Sequence, residues 1–188
     1  MRSENSWSSD TARGKGLNFT EKGNRILILG VGNLLLSDEG VGVHIARKLM
    51  GMDFSPEVRV VEGGTDGFGL MHVLLDADRV ILVDAVKGGG PPGSIYRLEI
   101  GDCPPFPDTF KTSVHQISIL EVINLSGLIG SAPRTTIIGV EPKSLEMGMD
   151  LSPEIEAKIP RVIQLIHEEV ALSLGNLAGK HSADVSSP

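Results

Sequence analysis

Short apolar runs alternate with helical stripes along most of the chain. Residues 26–29 and 80–83 carry only apolar side chains, residues 135–140 are nearly as apolar, and residues 58–61 form a fourth run with one arginine inside it. Unbroken runs of this length are expected of parallel strands covered on both faces, where neither side of the strand meets water. Residues 94–100 read differently: Tyr96, Leu98 and Ile100 alternate with Arg97 and Glu99, which suits an edge strand. Helical spacing predicts helices over 38–50, 67–75, roughly 115–124 and 153–174. The last carries Ile155, Ile159, Val162, Ile166 and Val170 along one stripe. Ser152 followed by Pro153 is a good helix start, and Pro160 is expected to kink this helix by removing a hydrogen bond to the preceding turn.

The order strand, helix, strand, helix, strand defines an α/β protein. The expected architecture is a single three-layer α/β/α domain, with a twisted, mostly parallel sheet of about five strands and helices on both faces. The domain is placed at residues 24–174, between a polar, aperiodic and flexible extension at 1–23 and a similar tail at 175–188. Ligands of such sheets bind at the carboxyl ends of the strands.

Composition narrows the class. A chain of 188 residues is long enough to bury one complete core, so no second domain is needed. No apolar run approaches the roughly 18 residues of a membrane span. Residues 1–19 hold charge and serine without an apolar stretch, so they cannot act as a secretory signal, which points to the cytoplasm. The net charge of −7 and the lack of a Lys/Arg cluster argue against a nucleic-acid surface. Cys103 is the single cysteine, which excludes an internal disulfide and a multi-cysteine zinc site.

The segment LILGVGNLLLSDEGVGVHIA at 27–46 opens like a dinucleotide-binding turn, with Gly30 and Gly32 after a strand. The third glycine of that fingerprint is replaced by Leu35, and Asp38 and Glu39 fill the first helical turn where a phosphate would bind. Taken alone, Ser37, Asp38 and Glu39 read as an N-cap with two acids complementing the helix dipole. Gly40 and Gly42 just inside the helix each cost about 1 kcal/mol relative to alanine, which implies that something approaches the backbone closely.

Asp84 ends the third strand, on the same sheet edge as the turn bearing Glu39. His115 follows a proline-rich loop at the start of a helix. Each has an ordinary reading as a turn or capping residue, but together Glu39, Asp84 and His115 make a candidate mixed O/N metal site. Gly63, Gly64 and Gly67 with Thr65 form a second flexible turn on that edge, either a binding loop or plain turn chemistry. The sequence has no HExxH and no GxSxG.

Five segments carry a resemblance to a known family: GVGNLLLSDEGVGVH at 30–44, EGGTDG at 62–67, LVDAV at 82–86, KTSVHQ at 111–116 and GVEPKSLEMGMDLSP at 139–153. In this order, across nearly all of residues 25–172, the chain resembles the maturation endopeptidases of nickel-iron hydrogenases. The resemblance implies a cytoplasmic, monomeric protease that removes the C-terminal extension from the precursor of the hydrogenase large subunit once nickel has been inserted. It implies that Glu39, Asp84 and His115 are the metal-binding and catalytic positions, that the metal is the nickel of the substrate, and that no nucleotide, nucleic acid or membrane is involved. Two positions depart from the family pattern: Glu62 stands where an aspartate is usual before GGT, and Val114 where a proline often precedes the histidine. Two other readings stay open at this level. One is a nickel-dependent hydrogenase assembly chaperone that does not cut; the other is a peptidyl-tRNA hydrolase, which shares the strand and GxGN turn but wants a basic face.

Overall fold

A computed structural model describes residues 25–100, 114–129 and 133–184, with backbone alone at 114–118 and 176–184. The expected extension at 1–23 and Cys103 lie outside the described residues. Five strands form one sheet: β1 (Ile26–Val31), β2 (Val58–Gly64), β3 (Arg79–Ala85), β4 (Ile95–Ile100) and β5 (Arg134–Val140). Their spatial order is β2-β1-β3-β5-β4, with β4 antiparallel to β5 and the other pairs parallel. The α/β expectation holds, and the one alternating segment is indeed an edge strand.

Alternation along the buried strands feeds two cores. Ile26 and Ile28 of β1 with Ile81 and Val83 of β3 face α1 (Val41–Leu49), α4 (Pro153–Glu156) and α5 (Ile159–Asp184). Leu27 and Leu29 with Val80 and Leu82 face α2 (Met71–Leu75) and α3 (Val114–Ile129). The stripe Ile155, Ile159, Val162, Ile166 and Val170 lies buried in the first core, as its spacing requires. Glu169 of α5 is buried and held by charge-assisted bonds: Arg97 Nε donates at 2.9 Å, Arg79 Nη2 at 3.3 Å and Thr136 Oγ1 at 3.1 Å. These contacts draw the long helix onto β3, β4 and β5.

The helix boundaries differ from the sequence pattern in three ways. A 3-10 turn, Ser37–Gly40, precedes α1, and another, Phe68–Leu70, precedes α2. Pro160 does not kink a continuous helix. The chain turns between α4 and α5, and Pro160 sits at the second position of α5, where a missing N–H has no carbonyl to serve. The helical backbone of α5 also continues to Asp184, through the residues where the pattern places the start of a tail.

Gly30 and Gly42 set how closely α1 lies on the sheet. A Cβ on Gly42 would stand 2.1 Å from the Val83 carbonyl oxygen and 2.4 Å from that of Val31; one on Gly30 would stand 2.1 Å from the Gly42 carbonyl oxygen. What approaches the helix backbone is therefore the protein's own sheet, not a ligand. Alanine in a helix is normally about 1 kcal/mol better than glycine. Gly42→Ala should have the opposite sign, destabilising by about 2 kcal/mol or more because backbone must move to admit the methyl group. Chemical denaturation of the two proteins reads this directly, and a variant as stable as the parent would refute the close approach.

Candidate active site

The chain leaves β1 for β2 on one side and reaches β3 on the other, so the carboxyl ends of β1 and β3 flank the switch point of the sheet. The turn after β1 folds back at Gly32, whose φ of 130° is open to glycine but strained for other residues. Its N–H donates to the Gly64 carbonyl at 2.9 Å, tying this turn to the end of β2. The 3-10 turn Ser37–Gly40 then packs against β3.

Two adjacent acids of that turn have opposite environments. Asp38 is fully buried, and its carboxylate accepts four hydrogen bonds: from the N–H groups of Lys143 and Ser144 at 2.9 Å, from the Ser152 N–H at 2.7 Å and from Ser152 Oγ at 2.9 Å. Ser37, at φ 48°, makes no capping bond; its hydroxyl donates to the Glu146 carbonyl at 3.0 Å. The Ser-Asp-Glu sequence is thus not a cap with two dipole partners. Its serine and aspartate hold a distant loop, residues 143–152. Glu39 is only 3% exposed, and its carboxylate makes no hydrogen bond or ion pair among the described residues. The carboxylate oxygens keep a small contact with solvent, so Glu39 is a largely enclosed acid that a cation or a donor would complete.

Asp84 is equally buried at the end of β3, where its Oδ1 accepts the Ala85 N–H at 2.7 Å. Its strand places it beside Gly139 of β5 and one residue beyond Val83, the carbonyl against which Gly42 rests. The backbone puts His115 in the first turn of α3, on the opposite face of the sheet from α1; its side chain lies outside the described residues. Among the described residues no three His, Cys, Asp or Glu side chains group as a metal site.

A second buried acid, Glu141, shapes the loop that follows Asp84. Its carboxylate accepts the Gly88 N–H at 2.7 Å and the Tyr96 hydroxyl at 2.6 Å, while the Tyr96 oxygen accepts the Gly90 N–H at 2.9 Å. Glu62, on the second glycine turn, is engaged by Arg47 of α1 through Nε at 2.9 Å and Nη2 at 2.7 Å. The Arg47 guanidinium holds the Glu62 carboxyl below its ordinary range. His44 Nε2 lies 3.2 Å from the Met149 carbonyl. Sequence reasoning missed Asp38 and Glu141 as organisers of the site loops, since each acts on residues far along the chain.

This is a doubly wound α/β protein whose switch point holds carboxylates in place of a phosphate-binding glycine loop. A family model described as hydrogenase maturation protease matches residues 43–169. The HupD hydrogenase expression/formation protein of Thiocapsa roseopersicina is 38% identical over 149 residues, 78% of this chain and 67% of that one. The hydrogenase 2 maturation protease of Escherichia coli K12 is 36% identical over 145 residues, 76% of this chain and 88% of that one. The solved structure of the hydrogenase maturating endopeptidase HybD from E. coli superposes with a TM-score of 0.71 at 32% identity, covering 79% of this chain and 93% of that one. The chain belongs to the hydrogenase maturation protease family, a family of peptidases.

Two measurements probe the loops around the site. Asp38→Ala leaves three half-buried N–H groups without their acceptor and should lower stability by about 2 kcal/mol, with faster hydrogen exchange at Lys143, Ser144 and Ser152. Tyr96 is the only tyrosine, so ultraviolet titration reports it alone. Its bond to Glu141 and the nearby negative charge favour the neutral phenol and raise its pKa above 10.0. The associated stability is present below the ordinary tyrosine pKa and is lost as pH rises through the folded value. In Glu141→Gln the titration midpoint should fall back toward 10.0.

Proposed function

We propose that this protein is the endopeptidase that removes the C-terminal extension of a nickel-iron hydrogenase large-subunit precursor after nickel insertion, and that it recognises the inserted nickel. The observation that carries the reading is Glu39, a largely buried carboxylate that no described residue bonds, on the same switch-point edge as buried Asp84. Both are hard oxygen donors. With His115 at the start of α3 they form a mixed O/N set suited to a borderline divalent cation that other ligands already hold in part. In this reading the nickel arrives as part of the substrate, and Glu39, Asp84 and His115 occupy its open positions. Nickel in place then signals that the precursor is ready to be cut.

The chain's own residues supply the rest. The Asp38 contacts hold the 3-10 turn and the 143–152 loop together, which fixes where Glu39 can point. The Glu141 contacts hold the loop beside Asp84. The site is thus preorganised to receive a charged, extended segment rather than assembled around it. We further propose that the protein works as a cytoplasmic monomer. No helix among the described residues is long and apolar enough to cross a membrane, which accords with that placement.

The test is cleavage of the large-subunit precursor, nickel-loaded and nickel-free, followed by mass spectrometry. Only the loaded form should lose its C-terminal peptide, and Glu39→Gln and Asp84→Asn should each lower kcat/KM at least ~100-fold with the fold retained. Equal cleavage of both forms, or full activity in Asp84→Asn, would sink nickel recognition. Nickel-dependent binding without any cleavage would instead identify an assembly chaperone.

A further inference from the structure

Beside the acidic site stands an apolar strip that no described residue covers. Leu36 pairs with Gly148 in a short parallel bridge, secured by the Gly148 N–H to the Leu35 carbonyl at 3.0 Å and the Ser37 N–H to the Gly148 carbonyl at 2.8 Å. Around this bridge Leu35 is 58% exposed, Met147 88% and Met149 62%. The backbone beneath them is anchored at Ser37, at Asp38 and by His44 against the Met149 carbonyl. Flexible, polarizable side chains therefore project from a fixed frame, an arrangement suited to gripping apolar sequence without demanding one exact shape.

The charges around the strip select its occupant. Lys143 and Glu154 neutralise each other at 2.6 Å. Glu146 and Asp150 flank the methionines, are exposed, and make no ion pair or side-chain hydrogen bond among the described residues. The strip also runs directly into the turn bearing Glu39, only four residues from Leu35 in sequence. We infer that Leu35, Met147 and Met149 dock an apolar segment of the precursor that carries a lysine or arginine, next to the bond to be cut. This rests on the function proposed above, and it adds a surface that reads peptide sequence to a site that reads the metal.

The double variant Met147→Ser/Met149→Ser changes only exposed side chains and should unfold at the parent's temperature. Its affinity for nickel-loaded precursor, measured by surface plasmon resonance, should fall about tenfold, and KM should rise to match while kcat stays within about twofold. Glu146→Lys/Asp150→Lys should weaken binding several-fold and flatten its dependence on salt. Unchanged affinity in the methionine variant overturns the inference, whether or not cleavage proceeds. Methionine-dependent self-association, seen by analytical ultracentrifugation with precursor affinity unaltered, overturns it in favour of a contact between two copies of this chain. If the parent binds through the methionines but never cuts, the docking surface stands and the peptidase function fails.

Discussion

Asp38 is the constraint on which the carboxyl edge depends. Its carboxylate collects bonds from residues 105 to 114 positions away in sequence, so one side chain joins the first turn of the fold to the last loop before the terminal helices. Those bonds are charge-assisted and their acceptor is buried, the kind that is strong when complete and costly when broken. The neighbouring Glu39 has the reverse arrangement, with burial and no bond from any described residue. One acid ties the frame together and the next is left open beside it. Such local departures from good bonding persist where surrounding structure over-determines them, and they mark sites of function.

The second constraint is the close seating of α1. Gly30 and Gly42 allow the helix backbone to touch the carbonyls of Val31 and Val83, and Asp84 is the residue after Val83. Seating α1 this deeply also brings the 3-10 turn against β3, which is how an acid following β1 and an acid ending β3 come to share one edge. Packing and site geometry are therefore one problem. A larger residue at position 42 would lift the helix and carry Glu39 with it.

Much of this was legible in the sequence because it is encoded locally. Apolar runs without alternation gave the central strands, the alternating run gave edge strand β4, and a strand followed by acids placed Glu39 and Asp84 on the carboxyl edge. What failed to read depended on partners remote in sequence or on a choice between similar local signals. Nothing near Asp38 announces the amides of Lys143, Ser144 and Ser152. The glycines at 40 and 42 signalled close approach correctly, but the approaching groups are the protein's own: the turn at Asn33 and Leu34 against Gly40, and the sheet against Gly42. The pattern reads Pro160 as a kink within one helix over 153–174, whereas the chain breaks at residues 157 and 158 and Pro160 falls in the first turn of α5, a position that suits proline equally well. Glu62, which stands where the family pattern has an aspartate, is taken up by Arg47, a partner 15 residues away that its own segment does not announce.

The distribution of charge gives the proposed reading its logic. The carboxyl edge gathers Glu39, Asp84 and Glu141 as buried acids, with Glu146 and Asp150 exposed beside them, in a protein already at −7. Such an edge repels acidic peptides and gives neutral ones little electrostatic reward, whereas a segment bearing a metal cation and a basic side chain gains on both counts. In that reading selectivity comes from a difference between substrates, as specificity must. Under the proposed function, the same precursor without its metal presents the peptide but no cation for Glu39, so correct timing of cleavage and rejection of other proteins follow from one electrostatic requirement.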